Sequence, residues 1–323
     1  MKNKLKAVNW NQMEDEYSKI FWDQNVRQFW VDEEIPLSSD KLQWETKLNK
    51  DEQDLYEKVL SGLTLLDTYQ GAVGMTNLSL NLTNLHSKAT VQFMGMMEQM
   101  HAKSYSSIFS TLSSSERIDQ LFKWVENEPA LQKKLGIVLS YYENIHNDED
   151  LYMAMVASVF LESFLFYSGF FYPLYLAGSG LMMSSAEIIN LIVRDEAIHG
   201  LYIGLLASKK FKEFDEKTQG ELQFRVIHLL EELMEVEREY TKNLYDKVGL
   251  TEQVLTYVEY NANKAMQNLG FDSQYTTVQE DVNPIVLNGI NTGTKNHDFF
   301  STKGNGYIKS TKIEEIRDED FEF

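Results

Sequence analysis

From about Ser39 to Gly270 apolar residues return every three or four positions, in long runs separated by short polar stretches. That period belongs to amphipathic helices that bury one face against each other. No apolar–polar alternation lasts long enough for a half-buried strand, and no unit of fixed length recurs. Helix boundaries are marked locally. Asn49 and Glu52 form a capping box opening a helix that runs through Asp67, and Ser184 with Glu187 repeats the device before the apolar run Ile188 to Leu206. Gly249 and Gly270 read as stops after two long helices, with Thr251 capping the second. Breaks are expected near Pro129 and at Gly178–Gly180. The pattern predicts an all-α protein.

Residues 151–178, LYMAMVASVFLESFLFYSGFFYPLYLAG, are long and apolar enough to resemble a membrane span. Glu162 interrupts the middle and Pro173 breaks the end, and a lone carboxylate is costly in lipid. The run is therefore read as the central helix of a large bundle, with no membrane partner. Three regions follow from the pattern. Residues 1–38, with Trp10, Trp22 and Trp30 spaced through them, form an irregular N-terminal arm that wraps the body. Residues 39–290 form the helical domain. Residues 291–323 turn polar and then acidic, and read as a flexible tail whose Phe321 and Phe323 suit aromatic docking anchors better than solvent.

Composition narrows the chemistry. Hydrophobic residues make up 43% of the 323, enough for a large core, and only four prolines interrupt it. A net charge of −19 repels phosphates and excludes a nucleic-acid binder. The absence of cysteine excludes disulfides, iron–sulfur clusters and any thiol chemistry by this chain. The N-terminus, MKNKLKAVNWNQ, lacks the apolar stretch of a signal peptide, so a cytoplasmic location is expected.

Glu-x-x-His occurs at Glu98–His101, Glu196–His199 and Glu143–His146. At this spacing both side chains leave one face of a helix, where they can grip a metal. The motif is weak alone, and context separates the three. Glu143–His146 runs into the charged stretch HNDED and reads as surface decoration. The other two pairs lie in strongly apolar helices, as do Asp67, on the face of Tyr56, Leu60 and Leu63, and Glu162. One buried carboxylate usually finds a basic or phenolic neighbour; four such acids amid almost no Lys or Arg need another cation. One carboxylate from each of two helices plus Glu-x-x-His from each of two more is the ligand set of di-iron and di-manganese bundles.

The order Asp67, Glu98-x-x-His101, Glu162, Glu196-x-x-His199 resembles the small subunit of class I ribonucleotide reductase. Its first ligand is Asp, where most di-iron oxygenases and ferritins carry Glu. The resemblance runs from Trp30 in QFWVDEEIPL to the acidic aromatic tail, and DFFSTKGNGY and DEDFEF look most like the class Ib branch. It implies a ferritin-like bundle with extra helices, holding two manganese or two iron ions per chain, the manganese form activated by a small flavodoxin-like protein. Tyr105, one turn beyond His101, matches the radical tyrosine. Trp30 and Asp195 match the inner electron relay with His101, and Tyr307 the outer step. On chemistry alone Trp30 serves equally as a packing residue.

The resemblance further implies a homodimer, and a large catalytic subunit that receives the tail through Phe321 and Phe323. Because this chain has no cysteine, the thiol that starts ribonucleotide reduction lies on that partner. Two other readings use the same bundle: a different di-iron oxidase or hydroxylase, and a non-enzymatic iron store. Asp67, Tyr105 and the tail together favour the reductase over the first, and a store would hold many metals per chain in a cage, where this sequence predicts two.

Overall fold

A computed structural model describes residues 5–291; Tyr307, Phe321 and Phe323 lie outside them. Among the described residues the chain forms thirteen α-helices, with no strand. The N-terminal arm is less irregular than expected. It carries α1 (Glu16–Arg27), capped by Asp15, which accepts from Ser18 N at 2.6 Å. The Ser18 hydroxyl meets Ser87 and Tyr202 at 3.0 and 2.8 Å and so ties the arm to the body.

The body opens with α2 (Ser38–Thr46) and α3 (Lys50–Tyr69). The Asn49–Glu52 capping box is present: Asn49 Oδ1 accepts from Asp51 N and Glu52 N, and Glu52 Oε2 accepts from Asn49 N at 2.7 Å. Helix α3 does not stop near Asp67 but passes through a π-helical turn, Gln70–Met75, into α4 (Thr76–Asn81). Then come α5 (Leu85–Leu112), α6 (Ser115–Asn127) and α7 (Pro129–Glu143), the last opened by a proline whose missing N–H is not needed at that position. The charged stretch after α7 is a helix start: Asn147 caps α8 (Asp148–Phe160), and three acids in its first turn complement the helix dipole. Helix α8 continues through a second π-helical turn, Leu161–Leu165, into α9 (Tyr167–Gly178). Helices α10 (Met183–Phe211), α11 (Glu216–Tyr245), α12 (Thr251–Asn268) and α13 (Pro284–Asn291) complete the body. Gly249 and Gly270 close the two long helices in the left-handed region, at φ 69° and 84°.

Three local expectations fail, each because a distant partner decides the outcome. Helix α10 begins at Met183, so Ser184 lies inside its first turn rather than at its cap. Asp40 on α2 supplies the cap instead, accepting from Ser184 N at 3.1 Å and Ser185 N at 2.7 Å. A carboxylate at a helix N-terminus satisfies free N–H groups and the dipole whichever segment delivers it. Thr251 starts α12 but does not cap it, since its hydroxyl donates to Asp246 at 2.6 Å. Pro173 does not end its helix: α9 runs on to Gly178, with Tyr172, Leu174 and Leu176 buried around the proline. Packing there outweighs one lost backbone hydrogen bond.

The rod from Asp148 to Gly178 is apolar enough to cross a membrane, yet its most apolar stretch is wholly buried inside the protein. It packs against α10, α7, α11 and α12, while α3 packs on both α5 and α9 and α10 also touches α5. These four units, α3, α5, the α8–α9 rod and α10, enclose the centre of the molecule.

Helices α9 and α13 touch backbone to backbone. A Cβ at Gly178 would overlap the Ile285 carbonyl, and one at Gly289 the Leu174 carbonyl. Neither clash can be relieved by rotating a side chain. Gly178→Ala and Gly289→Ala should each lower stability by about 1–3 kcal/mol, as overpacking does. Gly136→Ala in α7, where nothing lies within 4 Å, should instead be neutral or stabilising. Denaturant unfolding of the three variants checks both signs.

Candidate metal centre

Each of the four central units brings acid into the same space. Helix α3 supplies Asp67, α5 supplies Glu98 and His101, the second π turn supplies Glu162, and α10 supplies Glu196 and His199. All six side chains are at most 1% exposed. Their ligand atoms fall into two groups, each within 4.8 Å: Asp67, Glu98, His101 and Glu196, and Glu98, Glu162, Glu196 and His199. Glu98 and Glu196 belong to both. His101 Nδ1 faces Glu196 Oε1 at 2.9 Å and Asp67 Oδ1 at 3.4 Å, while His199 Nδ1 faces Glu98 Oε1 at 2.7 Å and Glu162 Oε2 at 3.5 Å.

The polar atoms there are largely orphaned. Both oxygens of Asp67, Glu98 and Glu196, Glu162 Oε2, His101 Nδ1 and both ring nitrogens of His199 have no hydrogen-bond partner. A buried orphan costs about 1–3 kcal/mol, so a cluster of this size strongly favours binding a group that satisfies it. The electrostatics of the site point the same way. Burial pushes the Asp67 and Glu162 carboxyls well above the usual range. Burial opposes charge on His101 and His199 too, yet the surrounding acids, Asp195 first for His101 and Glu162 first for His199, raise both well above the ordinary imidazole range. Among the described residues no Lys or Arg pairs with these four acids, whose ion-pair contacts are with His101 and His199. Divalent cations would satisfy every orphan at once, and oxygen-rich groups with one imidazole each suit iron or manganese. The residues therefore fit a metal pair.

The remaining sequence candidates lie around this cluster. Tyr105 is fully buried one turn beyond His101, and its hydroxyl has no partner. Burial first, then the charges of Asp67, Glu196 and Glu98, raise its pKa well above the ordinary phenol value. Trp30 stacks on His101 with ring centroids 6.0 Å apart and planes 17° apart. Its Nε1 donates to Asp195 Oδ2 at 2.7 Å, and the same oxygen lies 3.2 Å from His101 Nε2. Glu143–His146 is not brought to the centre: Glu143 ends α7, and His146 is exposed in the following loop.

Several residues escaped the sequence reading. Gln28 and Arg194 hold the other oxygen of Asp195, at 2.9 and 3.2 Å. Gln70 donates to Glu162 Oε1 and to Ser158 Oγ, and Tyr142 donates to Gln70 at 2.6 Å. Gln70 carried a usable signal, being a polar residue one helical turn beyond Asp67 in an apolar stretch. Gln28 carried none, since only the folded arm brings it to α10.

Comparison with known proteins agrees with this geometry. The profile of the family described as "Ribonucleotide reductase, small chain" matches residues 7–284. The chain is 55% identical to the ribonucleoside-diphosphate reductase subunit beta of Bacillus phage SPbeta, covering 98% of this chain and 96% of that protein. It is 53% identical to the subunit beta of Bacillus subtilis, with the same coverage. Among solved structures, the dimanganese(II)-NrdF of Streptococcus sanguinis superposes with a TM-score of 0.86 at 47% identity, covering 89% of this chain and 100% of that one. A cluster of acids and imidazoles with no protein cation, set in a fold and sequence shared over nearly the whole length with these subunits, leaves one assignment: the chain belongs to the ribonucleotide reductase small-chain family, the beta subunits of ribonucleoside-diphosphate reductase, in its class Ib, NrdF-like branch.

Proposed function

We propose that this chain is the radical-generating subunit, with Tyr105 oxidised beside a pair of manganese or iron ions held by Asp67, Glu98, His101, Glu162, Glu196 and His199. The observation that carries the reading is the pair of ligand groups sharing Glu98 and Glu196 next to a buried, unpartnered phenol. When bound, the metals would supply oxidising power drawn from O₂ or a derived oxidant. Tyr105 keeps its proton at neutral pH, because burial and three nearby acids disfavour the phenolate, so its oxidation releases an electron and a proton together. Complete burial shields the resulting radical from water and reductants. The dimanganese relative from Streptococcus sanguinis favours manganese as the native metal.

A beta subunit works with an alpha subunit, and a chain without cysteine leaves the substrate-activating thiol to that partner. The inner relay runs Trp30, Asp195, His101. Gln28 and Arg194 occupy Asp195 Oδ1, leaving Oδ2 to join the indole N–H to the imidazole. This shared oxygen favours relay over plain packing for Trp30. Tyr307 serves as the outer step, and Phe321 and Phe323 as the anchors for the large subunit, steered by Asp318, Glu319, Asp320 and Glu322 toward a basic groove. A homodimer, a flavodoxin-like activator for the manganese form and a cytoplasmic location complete the reading. It involves neither nucleic acid nor membrane, in keeping with the net charge of −19 and the buried apolar rod.

Three outcomes are expected. Elemental analysis should find two manganese or iron ions per chain, with at least one lost in His101→Ala and in Glu196→Ala; a full pair in both variants overturns the ligand set. Tyr105→Phe should keep its metals but lose the tyrosyl signal in electron paramagnetic resonance, along with ribonucleotide reduction. Deleting residues 317–323 should spare metals and radical while abolishing affinity for the large subunit and turnover, whereas Tyr307→Phe should keep affinity and lose turnover. Full activity of the truncated chain would remove the docking role of the tail.

A further inference from the structure

The two oxygens of Glu162 stand in different surroundings. Oε2 has no hydrogen-bond partner and faces His199 Nδ1 at 3.5 Å, while Oε1 accepts from Gln70 Nε2. Asp67, by contrast, has both oxygens unpartnered. Gln70 is fully buried and is itself held on both sides of its amide. Its Nε2 also donates to Ser158 Oγ at 2.9 Å, and its Oε1 accepts from the Tyr142 hydroxyl at 2.6 Å. The direction of this chain follows from chemistry. As a metal ligand Glu162 is an ionised carboxylate and can only accept, so the NH₂ faces Glu162; the amide oxygen then faces Tyr142, which donates.

The backbone makes room for the arrangement. Gln70 is the first residue of the π-helical turn that interrupts α3 and α4. Within that turn, a Cβ at Gly74 would come within 2.5 Å of Gln70 Oε1 and 2.7 Å of the Tyr142 ring. A side chain at residue 74 and the Tyr142–Gln70 bond are therefore incompatible. The π turn, the glycine, the phenol and the serine converge on one amide.

We propose that Gln70, locked by Tyr142, is a positioning residue for Glu162: it occupies Oε1 so that the acid offers Oε2 alone, already oriented, to the metal on the His199 side. A carboxylate so restrained loses less rotational freedom on binding, and partners of this kind typically change metal affinity about 10- to 100-fold. The inference rests on the reading of Glu162 as a ligand. It adds an asymmetry: the His199 side is preorganised by a neutral hydrogen-bond chain that the Asp67 side lacks.

The test is a manganese(II) titration of the metal-free full-length chain, following free aqueous manganese by electron paramagnetic resonance, with thermal unfolding of the metal-free proteins alongside. Gln70→Met, similar in shape but without the amide, should weaken one of two sites about 10- to 100-fold and leave the other at wild-type affinity, while the orphaned Tyr142 hydroxyl lowers the unfolding temperature only modestly. Tyr142→Phe, which removes a single oxygen, should weaken the same site by less, and it carries the test if Gln70→Met fails to fold. Glu162→Ala should lose that site altogether. Wild-type affinity at both sites in Gln70→Met and Tyr142→Phe, or equal weakening of both sites, overturns the positioning role while Glu162→Ala still loses a site. Two intact sites in Glu162→Ala overturn the ligand reading beneath it.

Discussion

Four carboxylates and two imidazoles sit in a dry core with no lysine or arginine of their own, and the rest of the architecture answers to that. Taken as protein alone, the cluster leaves most of its polar atoms without partners, and burial raises the Asp67 and Glu162 carboxyls well above the usual range. Burial of this kind is tolerated only where something else compensates it, because an isolated buried charge costs more than a domain's whole margin of stability. The charge balance belongs to the metals. The protein's task is to hold the ligands against their mutual repulsion.

It does so with rigid elements rather than loops. Every candidate ligand lies on a helix or a π-helical turn of the four central units, and those units are packed by the large apolar core around them. Regular helix is abandoned at two places, just after Asp67 and at Glu162. Such turns insert an extra residue and shift the side chains beyond it, and they recur at functional sites for that reason. Here they carry Gln70 and Glu162, which hydrogen-bond to each other. The distortion of one turn is matched by that of the other.

The N-terminal arm contributes more than cover. Its helix is tied to α5 and α10 through Ser18, and the segment beyond it lays Trp30 on His101 and Gln28 on Asp195. The Trp30–Asp195 hydrogen bond thus joins residues 165 positions apart at the edge of the buried centre.

The sequence by itself determined the helical class, the Asn49 capping box, the stops at Gly249 and Gly270, and the central place of the apolar run around Glu162. Each of these follows from a period or a residue's own backbone preference, which act over a few positions. Acid in an apolar helix singled out Asp67, Glu98, Glu162 and Glu196, and the Glu-x-x-His spacing added His101 and His199, the six residues that the fold draws together. What only the tertiary structure decided is everything that one segment does for another. Asp40 caps α10 from 144 residues away, so the local box at Ser184 never forms. Packing carries α9 through Pro173. Gln70, Tyr142 and Ser158 meet at Glu162 only because a π turn and a glycine let three helices approach. Local sequence records which groups are anomalous; which neighbours satisfy them is set by contacts that no spacing along the chain encodes.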